Sequence, residues 1–487
     1  MSPGALTGSG PGGGLPCQDV NRLAVDQLTV HRRAVEELRR QYAALPHDAP
    51  VRLAKRTSNL FRFRDDARTA RLDVSAFDHV LSVDPKTRTA EVGGMTTYED
   101  LVDATLPHGL MPLVVPQLKT ITLGGAVTGL GIESSSFRDG LPHESVQELE
   151  ILTGSGDVVV ASREGEHRDL FYGFPNSYGT LGYSLRLRIE LAPVKPYVHL
   201  RHIRFADAAE CMRAAEEICA DGEYEGRHVD FVDGTVFGPD ELYLTLGAFT
   251  DRAPFTSDYT GRQIYYKSIP RYSGKGPGDY LTVRDYLWRW DTDWFWCSRA
   301  FGVQHPAVRA VWPKRYQRSD VYRRLVALDR RYGLTDRLER RKGNPPNEPV
   351  IQDIEVPVER GAEFLEFFHR EIGMTPIWMC PLRVREPAAD GGKPWPLYPL
   401  ESGRLYVNFG FWGTVPTRHG LRPGHHNRLV EDAVTGLGGH KSLYSEAFYT
   451  EDEFWRHYNG DAYRELKRAH DPDGRLLDLY AKCVGNR

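Results

Sequence analysis

The residues of this sequence that are best suited to chemistry lie in one glycine-rich stretch, residues 122–136, which reads TLGGAVTGLGIESSS. Glycines occupy its positions 124, 125, 129 and 131. Glycine adopts positive φ angles and lets a bulky ligand approach the main chain closely. Successive backbone N–H groups can then form a concave site for an anion such as a pyrophosphate. The stretch predicts an anion-binding loop, although its spacing is not that of the G-x-G-x-x-G fingerprint. An ordinary turn is the alternative.

Two other segments have the composition of phosphate-binding loops. Residues 176–182 (NSYGTLG) form a second glycine-rich turn, and residues 55–59 (KRTSN) supply a cation and several hydrogen-bond donors. Charged donors of this kind bind phosphate strongly. Three such segments in one domain are more than packing requires, so we expect a phosphate-bearing ligand.

Short strands and helices alternate around these segments. Strands are expected at residues 79–83, 89–92, 149–152, 158–161 and 185–191, and a helix at 97–106 with Thr96 or Thr97 as its N-cap. A second region after Pro193 has predicted strands at 241–249, 352–358 and 404–411 and a helix at 362–370. This order predicts an α+β fold class for both regions.

An amphipathic helix is expected near the N-terminus, because apolar residues recur there at helical spacings. Its apolar residues are Leu28, Val35, Leu38, Tyr42 and Leu45. Packing on the body of the protein and contact with a membrane are both open for this helix. The preceding residues are rich in Gly, Ser and Pro, so we expect a disordered tail there instead of a signal peptide.

Composition excludes several classes of protein. The 487 residues are too many for one core, so two or three folded units are expected. A net charge of -4 argues against a nucleic-acid binder. Six cysteines without a C-x-x-C pair suggest neither a disulfide framework nor a metal site, and they favour reduced thiols in the cytoplasm. No run is long and apolar enough to span a bilayer. The oligomeric state stays open.

One segment, residues 260–342, is strongly basic and aromatic. It contains 19 Lys and Arg against 8 Asp and Glu, an excess of eleven positive charges, although the whole chain is acidic. Its large aromatic residues include Trp288, Trp290, Trp294, Phe295, Trp296, Trp312 and Tyr316. Cations beside amphipathic rings are typical of proteins that dock on anionic lipid headgroups. The segment therefore predicts peripheral placement on the inner face of a membrane, and an ordinary basic surface is the alternative.

The motifs resemble a known family. The order of the polar loop, L-G-G-x-x-x-G-x-G, D-L-F-Y and G-T-L-G resembles the FAD-binding domain of the vanillyl-alcohol oxidase or p-cresol methylhydroxylase (PCMH) superfamily. Within it, GLGIESSS (129–136), DLFY (169–172) and GTLG (179–182) resemble Δ24-sterol reductases. The likeness continues in KPYV (195–198), PIWMCP (376–381) and EFW (453–455) with Gly460, and so covers about residues 50–483.

This resemblance implies a two-subdomain PCMH-type FAD-binding fold with an α+β substrate (cap) domain. The implied organisation is a tail and helix over 1–46, the FAD domain over 47–195, the cap domain with the basic aromatic segment over 196–411, and a C-terminal segment over 412–487 that returns to the FAD domain. It also implies the residues that contact FAD: Arg56, Thr57, Ser58, Asn59, Thr122, Leu123, Gly124, Gly125, Thr128, Gly129, Gly131, Ile132, Glu133, Ser134, Gly182, Tyr183 and Tyr444.

Two departures from the family pattern matter. Many superfamily oxidases bind flavin covalently through a histidine of the first loop, whereas residues 55–59 contain none. FAD is therefore expected to be non-covalent. The N-terminal membrane segment of the sterol reductases is replaced here by the glycine-rich tail.

The reaction implied is reduction of an isolated C=C bond of a lipid by FAD, with NAD(P)H as the electron donor. A hydride is transferred to one alkene carbon, and a proton donor must protonate the other carbon. The candidate donors are Tyr444, Glu133, Tyr406 and Cys380, for which flavin stacking (Tyr444), a turn (Glu133) and packing (Cys380) are the alternatives. Trp378 and Arg383 are expected on the substrate side, Trp378 as a pocket wall.

The expected substrate is a methylene-branched fatty acyl chain or a sterol-like side chain. An alcohol or sugar oxidase or dehydrogenase of the same superfamily is the first alternative. A non-catalytic flavin-binding membrane adaptor is the second. These three differ in whether NAD(P)H, an alcohol or neither reduces the flavin.

Overall fold

Two antiparallel sheets organise the chain in the computed structural model. The structure describes residues 17–47, 49–55, 61–62, 70–274, 278–332, 337, 345, 347–388, 392–417 and 421–484, with side chains left out for 17–26, 330 and 331. The expected α+β class is confirmed, and the two main sheets form two units.

The strands in chain order are β1 (Val51–Leu53), β2 (Ala70–Leu72), β3 (Val80–Asp84), β4 (Thr89–Gly93), β5 (Leu110–Pro112), β6 (Val146–Thr153), β7 (Val158–Ser162), β8 (Gly182–Pro193), β9 (Tyr197–Phe205), β10 (Glu223–Tyr224), β11 (Arg227–His228), β12 (Phe231–Gly238), β13 (Glu241–Thr250), β14 (Asp279–Thr282), β15 (Asn347–Pro357), β16 (Ile377–Arg383), β17 (Leu405–Pro416) and β18 (His440–Lys441). The α-helices are α1 (Cys17–Ala44), α2 (Tyr98–Thr105), α3 (Leu123–Gly129), α4 (Ser136–Asp139), α5 (Arg168–Gly173), α6 (Ala208–Asp221), α7 (Tyr265–Tyr272), α8 (Val283–Leu287), α9 (Pro306–Val311), α10 (Ser319–Tyr332), α11 (Gly361–Glu371), α12 (His425–Gly436), α13 (Glu451–His457), α14 (Gly460–His470) and α15 (Leu479–Cys483). Short 3-10 helices cover Ser75–Phe77, Leu106–His108, Pro142–Ser145, Cys297–Phe301, Lys314–Tyr316 and Val358–Arg360.

The first sheet has the order β3-β4-β8-β6-β7, and β5 pairs with β8 outside this path. Its long central strand β8 places Leu187, Ile189 and Leu191 at alternate positions, so that all three enter one core. Helix α2 packs on this core and begins at Thr97, whose hydroxyl accepts a hydrogen bond from the Asp100 N–H at 3.2 Å. Both the helix and its cap agree with the sequence-based expectation.

Helix α1 packs on this first unit. Leu38 and Tyr42 are buried against the edge of the sheet, and the Tyr42 hydroxyl donates to the Gly154 carbonyl. His31 is buried too and lies 2.8 Å from the Glu150 carboxylate. The apolar face of this helix is therefore occupied by protein.

The second sheet has eight strands in the order β14-β9-β13-β12-β16-β17-β15-β18. One face, with Ile354, Met379 and Phe409, packs against helices α6, α11 and α12. Successive strand residues point to opposite faces. Asp353, Trp378 and Tyr406, which lie an odd number of positions from Ile354, Met379 and Phe409 on the same strands, therefore face the first unit. This second face forms one wall of the site described below.

The C-terminal helices lie over the first unit. The Arg475 carbonyl accepts from the Val51 N–H at 3.0 Å, and the Lys482 ammonium donates to the Tyr178 carbonyl at 2.6 Å. The chain thus returns to the first unit after β18. Strand β17 runs on to Pro416, across the domain boundary predicted at residue 411.

Candidate active site

A cavity of about 650 Å³ lies between the two sheets, a size typical of ligand sites. The glycine-rich segment, β1, the start of β8 and the second face of the eight-stranded sheet all contribute to its lining. The lining divides into a cationic, glycine-rich part and an aromatic part.

Five cations line the cavity, namely Arg52, Lys55, Arg62, Arg71 and Lys482. Asp353 is the one carboxylate among the described lining residues. Lys55 Nζ lies 3.3 Å from Thr122 Oγ1, beside the glycine-rich segment. This excess of positive charge fits a dinucleotide, whose pyrophosphate carries the complementary charge.

The glycine-rich segment differs from the predicted loop, because residues 123–129 form helix α3. The Thr122 hydroxyl caps this helix by accepting from the Gly125 N–H at 3.2 Å. Gly124 is required by packing, since an added Cβ would lie 2.2 Å from Ser184 Oγ and 2.6 Å from the Gly94 carbonyl. A Cβ on Gly125 would meet only Thr122 Oγ1 below 3 Å. Gly125 therefore leaves its space to the cavity.

Most of the predicted FAD contacts lie at the cavity. The residues that line it are Thr122, Gly124, Gly125, Thr128, Gly129, Gly131, Ile132, Gly182, Tyr183 and Tyr444. Leu123, Glu133 and Ser134 are buried away from the lining. The side chain of Ser134 donates instead to Glu133 Oε1 at 2.7 Å. Arg56, Thr57, Ser58 and Asn59 lie outside the described residues.

Aromatic side chains form the other part of the cavity. Phe61 stacks on Trp294 with ring centroids 5.5 Å apart, and Phe295 stacks on Trp412 at 4.2 Å. Trp378, the predicted pocket wall, lies beside Phe295 and lines the cavity. This part can hold a flat ring system and an apolar chain.

Backbone strain is concentrated at the same place. Leu130, Tyr178, Trp294 and Phe295 all line the cavity and have φ angles of 62°, 51°, 45° and 60°. Such angles are uncommon for residues other than glycine and cost about 1–3 kcal/mol each. The surrounding packing holds these residues in place, which is characteristic of a functional site.

The basic aromatic segment corrects one expectation. Trp288, Trp290, Trp294, Phe295 and Trp296 are buried in the protein core, so they are not the lipid-facing residues that the sequence suggested. They pack on each other and on the second sheet, because that sheet presents Trp378 and Trp412 to them. Trp312 is half-buried and Tyr316 is exposed.

Tyr444 is the predicted donor that reaches the cavity. Its hydroxyl oxygen accepts from Trp412 Nε1 at 2.9 Å and lies within hydrogen-bonding reach of the Asp353 carboxyl. Burial and the nearby Asp353 raise the pKa of the Tyr444 phenol well above its usual value. The phenol is therefore neutral and carries a proton.

The other predicted donors do not line the cavity. Tyr406 accepts from the Glu401 N–H at 3.3 Å at the far end of β17. Burial raises the pKa of the Cys380 thiol well above its usual value, and this side chain is packed in the core. Arg383, predicted on the substrate side, is half-buried at the end of β16 and also lies outside the lining.

Glu133 lies in a buried ionic cluster. Arg289 donates to Glu133 at 3.0 Å and to Asp233 at 2.8 Å. Asp233 Oδ2 also accepts from the indole nitrogens of Trp290 and Trp378, at 3.2 and 3.3 Å. Since Trp378 lines the cavity, this cluster holds the aromatic wall in position.

Sequence reasoning missed Asp353 and Glu355. Both lie on β15, where Glu355 is fully buried and Asp353 is half-buried and lines the cavity. Burial raises the pKa of the Asp353 carboxyl to about 7. Burial and the neighbouring Asp353 raise the pKa of Glu355 well above its usual value. The signal was present in the sequence, since two carboxylates stand at alternate positions on either side of the apolar Ile354.

The described part of the chain contains neither a cluster of metal ligands nor a helix that could cross a membrane. No group of three or more His, Cys, Asp or Glu side chains there is arranged to bind a metal ion. Of the helices described, none combines the length and the apolar character needed to cross a membrane.

Comparison with known proteins identifies the class. A family model described as "FAD binding domain" matches residues 27–162, which include the glycine-rich segment and the first sheet up to β7. This match, with the cationic and glycine-lined cavity, shows that the chain is a flavoprotein oxidoreductase with an FAD-binding domain of the PCMH type.

Similarity to particular proteins extends over most of the chain. The Delta(24)-sterol reductase of Arabidopsis thaliana is 26% identical over 448 residues, which cover 86% of this chain and 78% of the relative. The Delta(24)-sterol reductase of Homo sapiens is 28% identical over 419 residues, covering 83% and 75%. Cytokinin dehydrogenase 7 of Oryza sativa subsp. japonica is 32% identical over only 167 residues, covering 34% and 31%. The similarity to these Delta(24)-sterol reductases therefore covers more than four fifths of this chain.

Proposed function

We propose that this chain reduces an isolated C=C bond of a lipid, with non-covalent FAD as its cofactor and NAD(P)H as the electron donor. The observation that carries the proposal is the two-part cavity. A cationic, glycine-lined part suits the dinucleotide, and an aromatic part contains a hydrogen-bonded pair of proton-bearing groups, Tyr444 and Asp353.

FAD fits the residues present. Arg52, Lys55 and Arg71 supply positive charge for the pyrophosphate, and Gly125 leaves room for close approach to the main chain. When bound, FAD supplies hydride transfer. The described lining includes neither His nor Cys, and residues 56–60 (RTSNL) contain neither, which supports a non-covalent cofactor.

An apolar substrate suits the aromatic part. Phe61, Trp294, Trp378 and Trp412 offer hydrocarbon surface and little charge. The similarity to proteins named Delta(24)-sterol reductase favours an alkene in a lipid chain, either a sterol-like side chain or a methylene-branched fatty acyl chain. Trp378 is the substrate-side wall in this proposal.

Alkene reduction is favoured over alcohol oxidation by the state of the acid. An alcohol oxidase needs a base that accepts the hydroxyl proton. The pKa of Asp353 is raised to about 7 by burial, so in neutral or mildly acidic solution a large share of this carboxyl is protonated. The protonated share of this carboxyl can donate the proton that reduction of an alkene requires.

A lipid substrate must reach the cavity from a membrane, and a surface beside the cavity suits docking. We name it the α9–α10 surface, formed by the exposed residues Val311, Tyr316, Leu328 and Tyr332 with the basic residues Lys314, Arg315 and Arg324. Val311 is 80% exposed, and the side chains of Lys314 and Arg324 are 68% and 75% exposed. We infer that an anionic bilayer is its partner, since cations and apolar side chains together match that interface.

The α9–α10 surface connects to the cavity through one apolar cluster. Trp312, beside Val311, packs in the same cluster as Phe61 and Trp294, and these two line the cavity. Leu325 of helix α10 belongs to the cluster as well. An apolar path therefore runs from the exposed surface to the aromatic part of the cavity.

Lipid mass spectrometry tests the proposed reaction. A host that makes an unsaturated or methylene-branched lipid should convert it to a product with two more hydrogens when it expresses this chain. The matched control is Gly125→Val, which should remain folded while its side chain fills the space that Gly125 leaves for the cofactor. Unchanged alkene lipids in a host that accumulates FAD-loaded protein would contradict the proposal. Alcohol oxidation by the purified protein would then favour the oxidase alternative, and a flavin inert to both donors would favour the adaptor.

A further inference from the structure

We propose that protonated Asp353 directs the Tyr444 hydroxyl into the cavity and replaces the proton that Tyr444 gives to the alkene carbon. This inference rests on the proposed function. It assigns the proton donor to a relay of two residues and identifies Asp353 as its source.

The position of Asp353 on β15 is the first argument. Ile354 and Val356 point into the apolar core with the helices, while Asp353 and Glu355 point to the opposite face of the sheet. Of this pair, Asp353 lines the cavity. Within the described residues, neither carboxyl forms an ion pair with Lys, Arg or His. The half-buried Asp353 and the buried Glu355 thus lie next to one another, and neither has an ion-pair partner among the described residues.

The groups that face Asp353 come from several elements. Asn408 Nδ2 of β17 lies 3.5 Å from Asp353 Oδ1, and Tyr444 approaches from the segment after β18. Tyr178 contributes a further buried phenol, over whose ring Arg62 lies at 4.6 Å. Glu355, on the same strand, accepts from Ser442 Oγ at 2.9 Å and interacts with the Tyr398 phenol. Burial among these mostly neutral groups raises the pKa of Asp353 to about 7.

The hydrogen-bonding capacity of Tyr444 decides where its proton points. A phenol oxygen has two lone pairs and one O–H. Trp412 Nε1 donates to this oxygen at 2.9 Å and occupies one lone pair. When Asp353 is ionised, the Tyr444 O–H donates to its carboxylate. When Asp353 is protonated, its O–H can donate to the remaining lone pair of Tyr444. The Tyr444 O–H must then turn away from Asp353, and in this proposal it turns into the cavity that Tyr444 lines.

The atoms balance in the proposed step. One alkene carbon receives a hydride whose two electrons come from NAD(P)H by way of the cofactor, and the C=C π bond breaks. The other carbon forms a C–H bond with the Tyr444 proton as the Asp353 proton moves to the Tyr444 oxygen. Asp353 is left ionised and takes up a proton from water before the next turnover. Tyr444 never accumulates as a phenolate, which its strongly raised pKa would oppose.

The variant Asp353→Asn separates the two functions of the acid. An amide N–H still donates to Tyr444 and keeps the phenol pointing into the cavity, but it supplies no proton. Alkene reduction should slow by about 10²–10⁴-fold, the usual contribution of a general acid. This loss should exceed any change in the rate of flavin reduction by NAD(P)H measured without lipid. In the wild type, alkene reduction should fall as the pH rises through about 7, and Asp353→Asn should lose this pH dependence.

A substrate-free measurement tests the acid independently of the reaction. Infrared spectra of the holoenzyme should show a protonated carboxyl that titrates near pH 7 and is absent from Asp353→Asn. The variant Asp353→Glu restores a carboxyl and should recover part of the pH dependence, which a merely structural role would not produce. A wild-type rate and pH profile in Asp353→Asn, or no carboxyl signal lost on substitution, would overturn the inference. If no alkene is reduced while the infrared signal behaves as expected, the proposed function fails and the assignment of the acid stands.

Discussion

Single residues of the glycine-rich segment have different tasks. Gly124 allows close packing against β8, because a Cβ atom at this position would lie only 2.2 Å from Ser184 Oγ. Gly131 packs between two prolines, and an added Cβ would lie 2.9 Å from Pro116 and 3.1 Å from Pro142. Gly125 is different, because its side-chain direction is open toward the cavity apart from Thr122 Oγ1. Gly125 is therefore the position at which cofactor binding can be tested with the least damage to packing.

Gly125→Val should weaken FAD binding by at least about tenfold, equivalent to about 1.4 kcal/mol, while the protein remains folded. The reason is steric, since the branched side chain fills the space next to Lys55 and Thr122. Flavin released by acid precipitation measures the FAD content, and in the wild type all of it should leave the protein. Gly436→Val is the matched control, because Gly436 is exposed at the end of α12 with no atom near an added Cβ. Equal FAD content in both variants would contradict the placement of Gly125 at the cofactor.

Asp353 shows at the residue scale why part of the site was missed. The strand at 352–358 was expected from its alternating apolar residues, and the structure extends it to Asn347–Pro357. Which face of that strand meets the cofactor domain depends on the order β17-β15-β18 in the sheet. That order is set by long-range pairing, which local spacing does not encode. The sequence contains the two carboxylates, but it does not show that both lie on the face of β15 that meets the cofactor domain.

Elements of the cofactor domain were more predictable than those of the cap. Helix α2 with its Thr97 cap and strand β8 with its alternating leucines follow from local periodicity and capping chemistry. The aromatic residues after α8 carried no such information, and composition alone suggested an interface. The structure buries Trp288, Trp290 and Trp294 because they pack against each other and against the cap sheet.

The α9–α10 surface is the element to which a membrane is assigned. The triple variant Lys314→Glu, Arg315→Glu, Arg324→Glu should bind anionic vesicles at least about tenfold more weakly, since each cation near the surface contributes about 1 kcal/mol. High salt should weaken wild-type binding without abolishing it, because the apolar contribution is not screened. Vesicle co-sedimentation with phosphatidylserine in phosphatidylcholine gives the measurement.

Two matched controls accompany this test. Arg40→Glu reverses a charge on α1 whose side chain is 75% exposed, the same fraction as that of Arg324, and each is paired with an acidic residue of its own helix. Val311→Asp should weaken the part of the binding that persists in high salt, and Val160→Asp on β7 is its control, since Val160 is an exposed valine (49%) of the first sheet. Vesicle binding that is equally strong for neutral and anionic lipid, or equally weakened by the control variants, would contradict docking through this surface.

At the scale of the whole molecule, the site is a consequence of how two sheets meet. The first sheet carries the glycine-rich segment, and the eight-stranded second sheet carries Asp353, Trp378 and Trp412. The returning C-terminal segment adds Lys482. Neither unit alone provides the whole lining. The FAD-binding class could be inferred from motifs in one unit, whereas the chemistry at the other end of the cavity depends on both units together.

The most direct test of the account follows the flavin through both halves of the reaction without oxygen. NADPH or NADH should bleach the bound flavin of the purified protein. A methylene-branched acyl lipid or a sterol with an unsaturated side chain, presented in anionic vesicles, should then restore the oxidised spectrum and yield one saturated lipid per flavin. Bleaching by an alcohol instead of NAD(P)H, or a reduced flavin that no alkene reoxidises, would contradict the assignment of this chain as a lipid C=C reductase.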